Sequence, residues 1–405
     1  MKLSEVPQIN SMAPSDSFLT EAGGSERRIS FAELKESLAS SVTTPPAEYT
    51  LEQNSNTAFN VSNTWAAYMY ASYMKGYLFK VVAGKVYAAL LNESWDGFDD
   101  GTPIDNISKY ETMIRVPKCY YKGKGTKMTF GGINPVAGGH TFDSPEWVGA
   151  YQMFVDNNVG HSRPNVAPTH SKKMSEFWAA AQQLGSNFGL ANYQFQCLIN
   201  AVYQSYYGDL DSQKVIGSGF QHSSWEACRD VPMGKCISLG NGSGKVLYED
   251  ATLGKQYSVK LFGFEDLWGK LWEFRPGIRF YMDGETRKAV VYSGNQVSNT
   301  ASGRTFTCLS TANGEYVTKM TLGEYWDMMP QAVGGSATTY YADGAWAATT
   351  GELLQVGGSA RYGSLCGVAF SLSLYDFSNS GTAIGARLAF FGTPTIVSGS
   401  QLVAM

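Results

Sequence analysis

Apolar and polar residues alternate along much of the chain in short runs separated by turn residues, which is the pattern of β-strands. Two such runs, residues 77–82 and 85–91, flank an Ala-Gly pair, and this arrangement predicts a β-hairpin. Residues 110–121 form another extended run, in which Pro117 favours a sheet edge or a strand end because proline has no amide hydrogen to donate. This part of the chain is therefore predicted to be mainly β.

Two segments break this pattern with the three- and four-residue spacing of an amphipathic helix. In the first, Ser171 is predicted to cap the N-terminus and Gly185 to end the helix. Its apolar positions are Met174, Phe177, Trp178, Ala181 and Leu184. The second lies between Asn192 and Gly208, and its face comprises Cys197, Leu198, Ala201, Val202 and Ser205. Each helix is expected to present one narrow apolar face, and two helices among many short strands predict the α+β class.

The first 40 residues differ from the rest, because their apolar residues come in short groups between polar ones and cannot form a core. Residues 32–38 favour a helix, and the Ser/Thr/Pro-rich residues 40–46 indicate a linker. We expect residues 1–40 to be an extended arm that attaches to a neighbouring subunit or a larger particle. The expected division is an arm at 1–40, a linker and entry segment at 41–64, one domain at 65–392 and a C-terminal tail at 393–405.

The arm resembles the short N-terminal segments of phage tail-fibre and related virion proteins. The shared features are a Leu-Ser-Glu-Val-Pro opening at residues 3–7, Ser15-Asp16, and a basic strand ending in Ile-Ser-Phe at residues 27–31. The resemblance implies that residues 1–40 bind other virion proteins. It also implies that the chain, made in the host cytoplasm, is found in the virion.

Composition narrows the classes of function. The 405 residues include 13% aromatic residues and 44 glycines, which favours short strands and elaborate loops. The net charge is -4 without a basic stripe, so nucleic acid is not an expected partner. No apolar run suits a signal peptide or a membrane span, and no membrane insertion is expected. The six cysteines are far apart with no CxxC pair, which predicts buried free thiols.

The most specific motif is SVKLFGFEDLWGKLWEF, at residues 258–274. It resembles the Gly-x-x-Asp-x-x-Gly-Asn-x-Trp-Glu-Trp segment of the formylglycine-generating-enzyme branch of the C-type lectin fold, with Lys270 in place of Asn and Phe274 in place of the last Trp. Residues 353–359 and 384–388 are similar to the Arg-Gly-Gly-Ser and Gly-Phe-Arg signatures that close the same fold. The resemblance implies a C-type-lectin-like domain with short twisted β-sheets and two helices.

The same residues are expected to be framework on physical grounds. The glycines at 357–358 permit positive φ or a close approach of two backbones at a strand end. Trp268 and Trp272 are four residues apart and are expected to pack inward around the glycine turn between them. Glu273 lies among aromatic residues and needs a cationic or hydrogen-bonding partner, for which Arg387 is the candidate.

Enzymatic and metal-dependent functions lack the residues they need. An oxidase of the formylglycine-generating kind requires a cysteine pair for Cu(I) in the terminal segment, where only Cys366 is found and Cys308 lies outside. The signature triplets of calcium-dependent lectins are absent, and the aspartates of residues 96–105 fit a solvated turn better than a cation loop. The four histidines have no metal-ligand spacing. We therefore expect no enzyme activity, no metal site and no cofactor.

Residues 359–380 alternate small polar with apolar residues and include Arg, Tyr and Asp. In binding surfaces Tyr and Arg supply contact area, while Ser and Gly let the backbone adapt. The segment resembles the variable C-terminal region of retroelement-diversified phage tropism determinants, which implies a recognition face at about residues 337–380 with its polar positions exposed. An ordinary strand and loop of the fold is the alternative. The expected ligand-binding residues are Tyr340, Tyr341, Trp346, Ala360, Arg361, Tyr362, Ser364, Leu365, Ala369, Ser371, Ser373 and Tyr375.

These resemblances imply a structural protein of a tailed-bacteriophage virion, a tail fibre or receptor-binding protein that recognises a host cell-surface glycan or protein. A homotrimer is expected, because fibres usually close with threefold symmetry and an arm without a core favours packing in an oligomer. The alternative is a head-fibre or a capsid or collar decoration protein whose lectin-like domain is structural. A formylglycine-generating-type oxidase is a third possibility, and the missing cysteine pair argues against it.

Overall fold

The chain divides into two units, Met1–Pro46 and Ala47–Met405. A computed structural model describes the backbone of residues 17–22, 25–30 and 48–50 and the whole of residues 64–405. In the first unit, β1 (Ser17–Ala22) and β2 (Ser25–Ser30) form an antiparallel hairpin. The expected basic strand therefore lies in β2 as far as Ser30. The Leu-Ser-Glu-Val-Pro opening, Ser15-Asp16, the helix-prone segment and the linker lie outside the described residues.

The second unit contains a first seven-stranded sheet, which we name sheet A. In spatial order its strands are β13 (Phe188–Leu190), β27 (Arg387–Phe390), β10 (Trp147–Gln152), β6 (Glu111–Arg115), β4 (Gly76–Val82), β5 (Lys85–Leu90) and β28 (Thr395–Ile396). The predicted hairpin is confirmed as β4 and β5, with Tyr77 opposite Leu90 and both turn residues at positive φ. Pro117 follows the end of β6, and β6 lies inside the sheet rather than at its edge.

A second seven-stranded sheet, sheet B, brings the three sequence motifs together. Its spatial order is β22 (Asp327–Val333), β21 (Ala312–Leu322), β23 (Gly344–Ala347), β25 (Ser371–Ser373), β24 (Gln355–Val356), β17 (Trp272–Phe274) and β26 (Ile384–Gly385). The central motif forms β17, which pairs antiparallel with β24 and parallel with β26. After β26 the chain continues into β27 of sheet A, so the last motif belongs to both sheets.

Smaller sheets surround these two. The strands of the first are β3 (Glu48–Thr50), β8 (Lys127–Gly132), β7 (Tyr120–Lys124) and β9 (His140–Thr141). Two three-stranded sheets comprise β14 (Gly244–Asp250), β15 (Gly254–Leu261) and β16 (Phe264–Glu265), and β18 (Ile278–Asp283), β19 (Thr286–Val291) and β20 (Arg304–Thr307). The remaining hairpin joins β11 (Phe154–Asp156) to β12 (Val159–His161).

Helices are few and strands are many, so the fold is mixed α+β, as predicted. The α-helices among the described residues are α1 (Thr64–Ala71), α2 (Met174–Gln182), α3 (Tyr193–Tyr207), α4 (Ser212–Val215), α5 (Trp225–Arg229) and α6 (Gly399–Ala404). The predicted pair corresponds to α2 and α3, and α1 and three short helices were not predicted. None of the helices in this part of the chain combines the length and apolarity needed to cross a membrane.

The ends of α2 and α3 test the predicted capping residues. Ser171 does not cap α2, because it lies at φ 61° ahead of the helix and the N-cap position is Lys173. The backbone amide of Lys173 instead donates to the Glu176 carboxylate at 2.6 Å. In α3 the side chain of Asn192 accepts from the Phe195 amide at 2.9 Å, and Gly208 closes the helix at φ 66°.

The expectation of one narrow apolar face is wrong for α3, since 13 of its 15 residues are buried. The reason lies in its polar residues. The side-chain amides of Gln196 and Asn200 both donate to the Val368 carbonyl, at 2.8 and 3.0 Å. Hydrogen bonding lets a second, polar face of α3 enter the interior at small cost. A helix buried on several sides therefore shows only a narrow apolar stripe in its sequence.

Residues 393–405, expected as a tail, add to sheet A. Thr395 and Ile396 pair parallel with Tyr87 and Ala88 of β5. The capping box of α6 follows, with Ser398 accepting from the Gln401 amide at 3.2 Å, and Leu402 is fully buried. The end of the chain is thus fastened to the domain.

Candidate functional site

Two of the three motif segments supply residues of a buried ion cluster, Glu273 from the central motif and Arg387 from the last one. Arg387 donates from Nη2 to Glu273 Oε1 at 2.6 Å and from Nε to both carboxylate oxygens at 3.1 Å. The predicted partner of Glu273 is therefore confirmed. Sequence reasoning missed a second one, Arg275, whose Nη1 lies 2.8 Å from Glu273 Oε2. All three side chains are fully buried.

This cluster ties the two seven-stranded sheets together. Nη1 of Arg387 donates to the carbonyls of Gly149 and Ala150 in sheet A, at 3.0 and 2.8 Å, while its carboxylate partner Glu273 belongs to sheet B. Burial alone would raise the pKa of Glu273, but the guanidiniums of Arg387 and Arg275 outweigh it and hold that pKa below its usual value. The Glu273 carboxylate accepts from Arg387, Arg275 and Gln152, so neither of its oxygens is left for a ligand and the cluster is framework.

Lys270 is also part of the interior. Its Nζ donates to the Val231 carbonyl at 2.7 Å and lies 3.6 Å from Asp266 Oδ2. Burial lowers the pKa of Lys270, although the carboxylates of Asp266 and Glu265 oppose the change. Lys270 is therefore a buried hydrogen-bond donor, held by a backbone carbonyl and placed beside an acidic side chain.

The glycines at 357–358 are required by both conformation and space. Their φ angles are 86° and 77°, as predicted. A Cβ on Gly357 would lie 2.2 Å from the Leu267 carbonyl oxygen, and one on Gly358 would lie 2.6 Å from Cys366 Sγ. Trp268 and Trp272 are both buried, at 0% and 6% exposure. These residues hold the start of the segment that follows them, and they are framework as expected.

Seven of the predicted ligand-binding residues are accessible. Arg361, Ser364 and Tyr375 are exposed, and Tyr340, Trp346, Tyr362 and Leu365 are half-buried. Ser364 is nevertheless anchored, because its hydroxyl lies 2.8 Å from Tyr316 Oη and its carbonyl accepts from the Gln213 amide at 2.7 Å. We call these seven residues the recognition face.

The expectation that the remaining five are exposed is wrong. Tyr341, Ala360, Ala369, Ser371 and Ser373 are all buried, with exposures from 0% to 5%. For the two serines the cause is that both faces of β25 are covered, since Ser371, Leu372 and Ser373 are all buried. Alternation of small polar and apolar residues normally indicates one solvated face, but small hydroxyl side chains also fit between two packed layers.

An aromatic cluster supports the recognition face from below. The rings of Trp272 and Tyr362 are stacked with centroids 5.1 Å apart, and Trp346 meets Tyr362 edge-on at 4.9 Å. Phe370 completes the cluster, 5.4 Å from Trp346. The half-buried rings of Tyr362 and Trp346 thus each have one part in the interior and one part at the surface. Such rings are rigid contact surfaces, because little side-chain entropy remains to be lost on binding.

Beside Arg361 lies an open groove that sequence reasoning missed. Its volume is about 680 Å³, and its lining residues are Gln221, His222, Ser223, Trp225, Glu226, Ala360, Arg361 and Gly363. Residues 221–224 have no regular secondary structure, so no periodicity indicated them. The available signal was the concentration of Gln, His, Ser, Trp and Glu within six residues.

The thiols show no sign of activation. All six cysteines are buried and free, as predicted. Burial raises the pKa of Cys366, whose Sγ donates to the Ser359 carbonyl at 3.1 Å. Cys308 has a different neighbour, with its Sγ 3.8 Å from the Arg287 carbonyl oxygen. Within residues 64–405 and the three described strands before them, no three His, Cys, Asp or Glu side chains are grouped as metal ligands.

Comparisons with known proteins are sparse. No protein-family model and no curated protein matches the chain. Among solved structures, the Major Tropism Determinant U1 variant is 14% identical with a TM-score of 0.29, over 78% of this chain and 72% of that one. The P3c variant is 14% identical with a TM-score of 0.28, over 91% and 90%. At these TM-scores the likeness decides neither fold nor function.

Proposed function

We propose that the chain is a structural protein of a tailed-bacteriophage virion that binds other virion proteins through residues 1–40 and a host cell-surface ligand through the recognition face. The observation that carries the proposal is the exposure of Arg361 and Tyr375, with the half-buried Tyr362 beside them, on a segment held at both ends by buried framework. No step of catalysis is part of this function.

The geometry of the segment supports recognition by a preformed surface. On one side, Gly357 and Gly358 are packed against the chain at Leu267 and Cys366. On the other, Arg387 is fixed in the ion cluster. A segment held at both ends loses little entropy on binding, which raises affinity without adding contacts.

The recognition face contains the residue types that dominate the binding energy in other protein interfaces. The guanidinium carbon of Arg361 lies 5.9 Å from the centroid of the Tyr362 ring, and among the described residues Arg361 makes no ion pair. Arg and Tyr are enriched among the few side chains whose truncation costs about 2 kcal/mol or more. An exposed cation beside an aromatic ring is therefore available to a ligand.

The C-type-lectin-like fold and the homotrimer belong to the same proposal. The pairing of Glu273 with Val356 on one side and Gly385 on the other, together with its ion pair to Arg387, supports the fold, because it brings the three motif segments together. The trimer and the attachment through residues 1–40 rest on the sequence resemblance alone.

Competition for adsorption tests the recognition face. The purified full-length chain, added to the bacterium that the parent phage infects, should block adsorption of that phage. Arg361→Ala and Tyr375→Ala should each weaken the block by about 30-fold, which corresponds to about 2 kcal/mol. Tyr257→Ala is the matched control, because Tyr257 and Tyr375 are 39% and 38% exposed. If both variants compete as well as the control, the recognition face lies elsewhere.

Deletion of residues 1–40 tests attachment. The shortened chain should keep its melting temperature, because residues 47–405 form the second unit by themselves. It should no longer be found in purified particles when it replaces the full chain during phage growth. Incorporation at the normal level would show that the arm is not the attachment element.

A further inference from the structure

The groove beside Arg361 is a built feature rather than a gap between loops. Its floor is Ala360, which packs in a small hydrophobic cluster with Phe220, Cys228, Val231 and Leu253. The two walls are joined across the floor, because the His222 amide donates to the Ala360 carbonyl at 3.3 Å. The Gln221 amide in turn donates to Gln256 Oε1 at 2.8 Å. The groove is therefore formed before any ligand arrives.

The rim of the groove carries hydrogen-bond donors and acceptors, and these include one acidic and one basic side chain. His222 Nδ1 accepts from the Ser224 amide at 3.0 Å, so in the neutral ring the proton is on Nε2. Glu226 and Arg361 are both exposed, and neither forms an ion pair among residues 64–405. Gln221 adds an amide, which both donates and accepts.

One aromatic ring completes the groove. Trp225 is half-buried against the floor cluster, and the guanidinium carbon of Arg229 lies over its ring, 5.7 Å from the centroid. Arg229 is itself fixed by Asp230, with Nε to Oδ1 at 2.7 Å and Nη2 to Oδ2 at 2.8 Å. The indole is thus held in place, with Arg229 stacked on one of its faces.

We infer that this groove binds a short saccharide, and this inference rests on the proposed function because it names the class of host ligand. Each sugar hydroxyl donates and accepts at once, so it can pair with the Glu226 carboxylate and the Arg361 guanidinium in the same groove. The apolar C–H face of a pyranose fits against an indole. A volume of about 680 Å³ lies within the range of small-molecule sites.

Two other ligand classes fit the groove less well. A simple anion would be repelled by the Glu226 carboxylate at the same rim. A peptide usually anchors an apolar side chain in a desolvated pocket, whereas this groove is open to solvent and its apolar lining side chains are Ala360 and the half-buried Trp225. A neutral ligand rich in hydroxyl groups meets every lining residue with a suitable partner.

Saturation-transfer NMR on the full chain tests the inference. The probes are the methyl glycosides of D-glucose, D-galactose, D-mannose and N-acetyl-D-glucosamine. At least one should receive saturation from the protein, and Glu226→Gln should weaken its binding by about tenfold, the loss expected for one charge-assisted hydrogen bond. Glu285→Gln is the matched control, because Glu285 is exposed in the turn between β18 and β19. Absence of transfer to all four probes, or equal binding by the two variants, would overturn the inference.

The result of the glycoside-binding experiment can be distinguished from the result of the adsorption assay. If no glycoside binds while Tyr375→Ala still weakens the block of adsorption, the saccharide groove is wrong and the recognition face stands. If a glycoside binds in a Glu226-dependent way but the wild-type chain does not compete for host cells, the groove stands and host recognition is wrong. Trp225→Phe, which keeps an aromatic ring over the floor, should keep the melting temperature and retain measurable glycoside binding.

Discussion

The ion cluster around Glu273 and the recognition face around Arg361 both contain arginine, but the arginines of the cluster are buried and paired whereas Arg361 is exposed. In the cluster, every guanidinium nitrogen of Arg387 donates to an oxygen of the protein. On the face, Arg361 is exposed and, among the described residues, has only the neighbouring Tyr362 ring as a charged or aromatic contact. A buried charge must be satisfied inside the fold, whereas an exposed one remains available. The recognisable motifs therefore supply framework, whereas in the proposed function the residues between them supply binding.

The largest expected effect comes from Glu273→Gln, which leaves two fully buried guanidiniums without their counter-ion. We expect a loss of about 5 kcal/mol in the free energy of unfolding, at the upper end of the range for a broken buried pair. Urea unfolding at pH 7 measures it. Glu146→Gln is the control, because Glu146 pairs with Arg115 at the surface, and it should cost less than about 1 kcal/mol. Equal losses in the free energy of unfolding for the two variants would show that the buried ion cluster contributes no more than a surface ion pair.

The aromatic cluster lies between the two regions and should give an intermediate effect. Trp272→Ala should cost about 4 kcal/mol, because its ring is 6% exposed. Tyr362→Ala should cost about 2 kcal/mol, because the Tyr362 ring is only half-buried. A double-mutant cycle should give a coupling of about 1 kcal/mol for the stacked pair. A coupling near zero would show that the face is not supported by Trp272.

The buried carboxyl of Asp343, directly before β23, predicts a pH effect. Burial raises the pKa of Asp343 well above its ordinary value, although the Ala369 amide donates to it at 2.8 Å. The folded chain therefore keeps a proton that the unfolded chain loses, and this group makes the protein less stable as the pH rises above about 4, by at most about 1.4 kcal/mol per pH unit. Asp343→Asn should flatten the melting profile between pH 5 and 8.

The control for this effect is Asp376→Asn on the neighbouring segment. Hydrogen bonds from Ser378 hold the pKa of Asp376 below its ordinary value, so its contribution is present above about pH 4 and is lost only in acid. Replacing Asp376 should leave the profile between pH 5 and 8 unchanged. An Asp343→Asn profile as steep as that of the wild type would show that Asp343 is ionised in the fold.

The smallest effect is expected on the recognition face. Arg361→Ala and Tyr375→Ala should change the free energy of unfolding by no more than about 0.5 kcal/mol, because both side chains are exposed. Thermal melting of the two variants beside wild type measures this. A loss above about 2 kcal/mol would assign these residues to the framework and leave the face without a binding role.

The framework was predictable because its residues have unusual requirements. A glutamate among aromatic residues demands a cation, and consecutive glycines demand positive φ, so Glu273, Arg387 and the glycines at 357–358 were recognised from type and order. Arg275 was missed because a neighbour two positions along a strand gives no separate pattern.

The surface was less predictable, because exposure depends on what packs against each face of a strand. Ser371 and Ser373 have the alternation of a solvated strand, yet both faces of β25 are buried. Gln196 and Asn200 have the polarity expected of the outer face of a helix, yet the side-chain amides of both donate to the Val368 carbonyl in the interior. In each case residues distant in the sequence determine whether the side chain is buried, and the local sequence pattern does not show them.

The fastening of the C-terminus to β5 has a consequence for aggregation. A sheet edge with free amides and carbonyls invites pairing with another chain, and short edge strands limit that risk. Sheet A ends in the two-residue strand β28, followed at once by α6 with its buried Leu402. A chain that stopped before Thr395 would leave Tyr87 and Ala88 of β5 without their strand partners as well, so we expect it to self-associate more readily than the full chain.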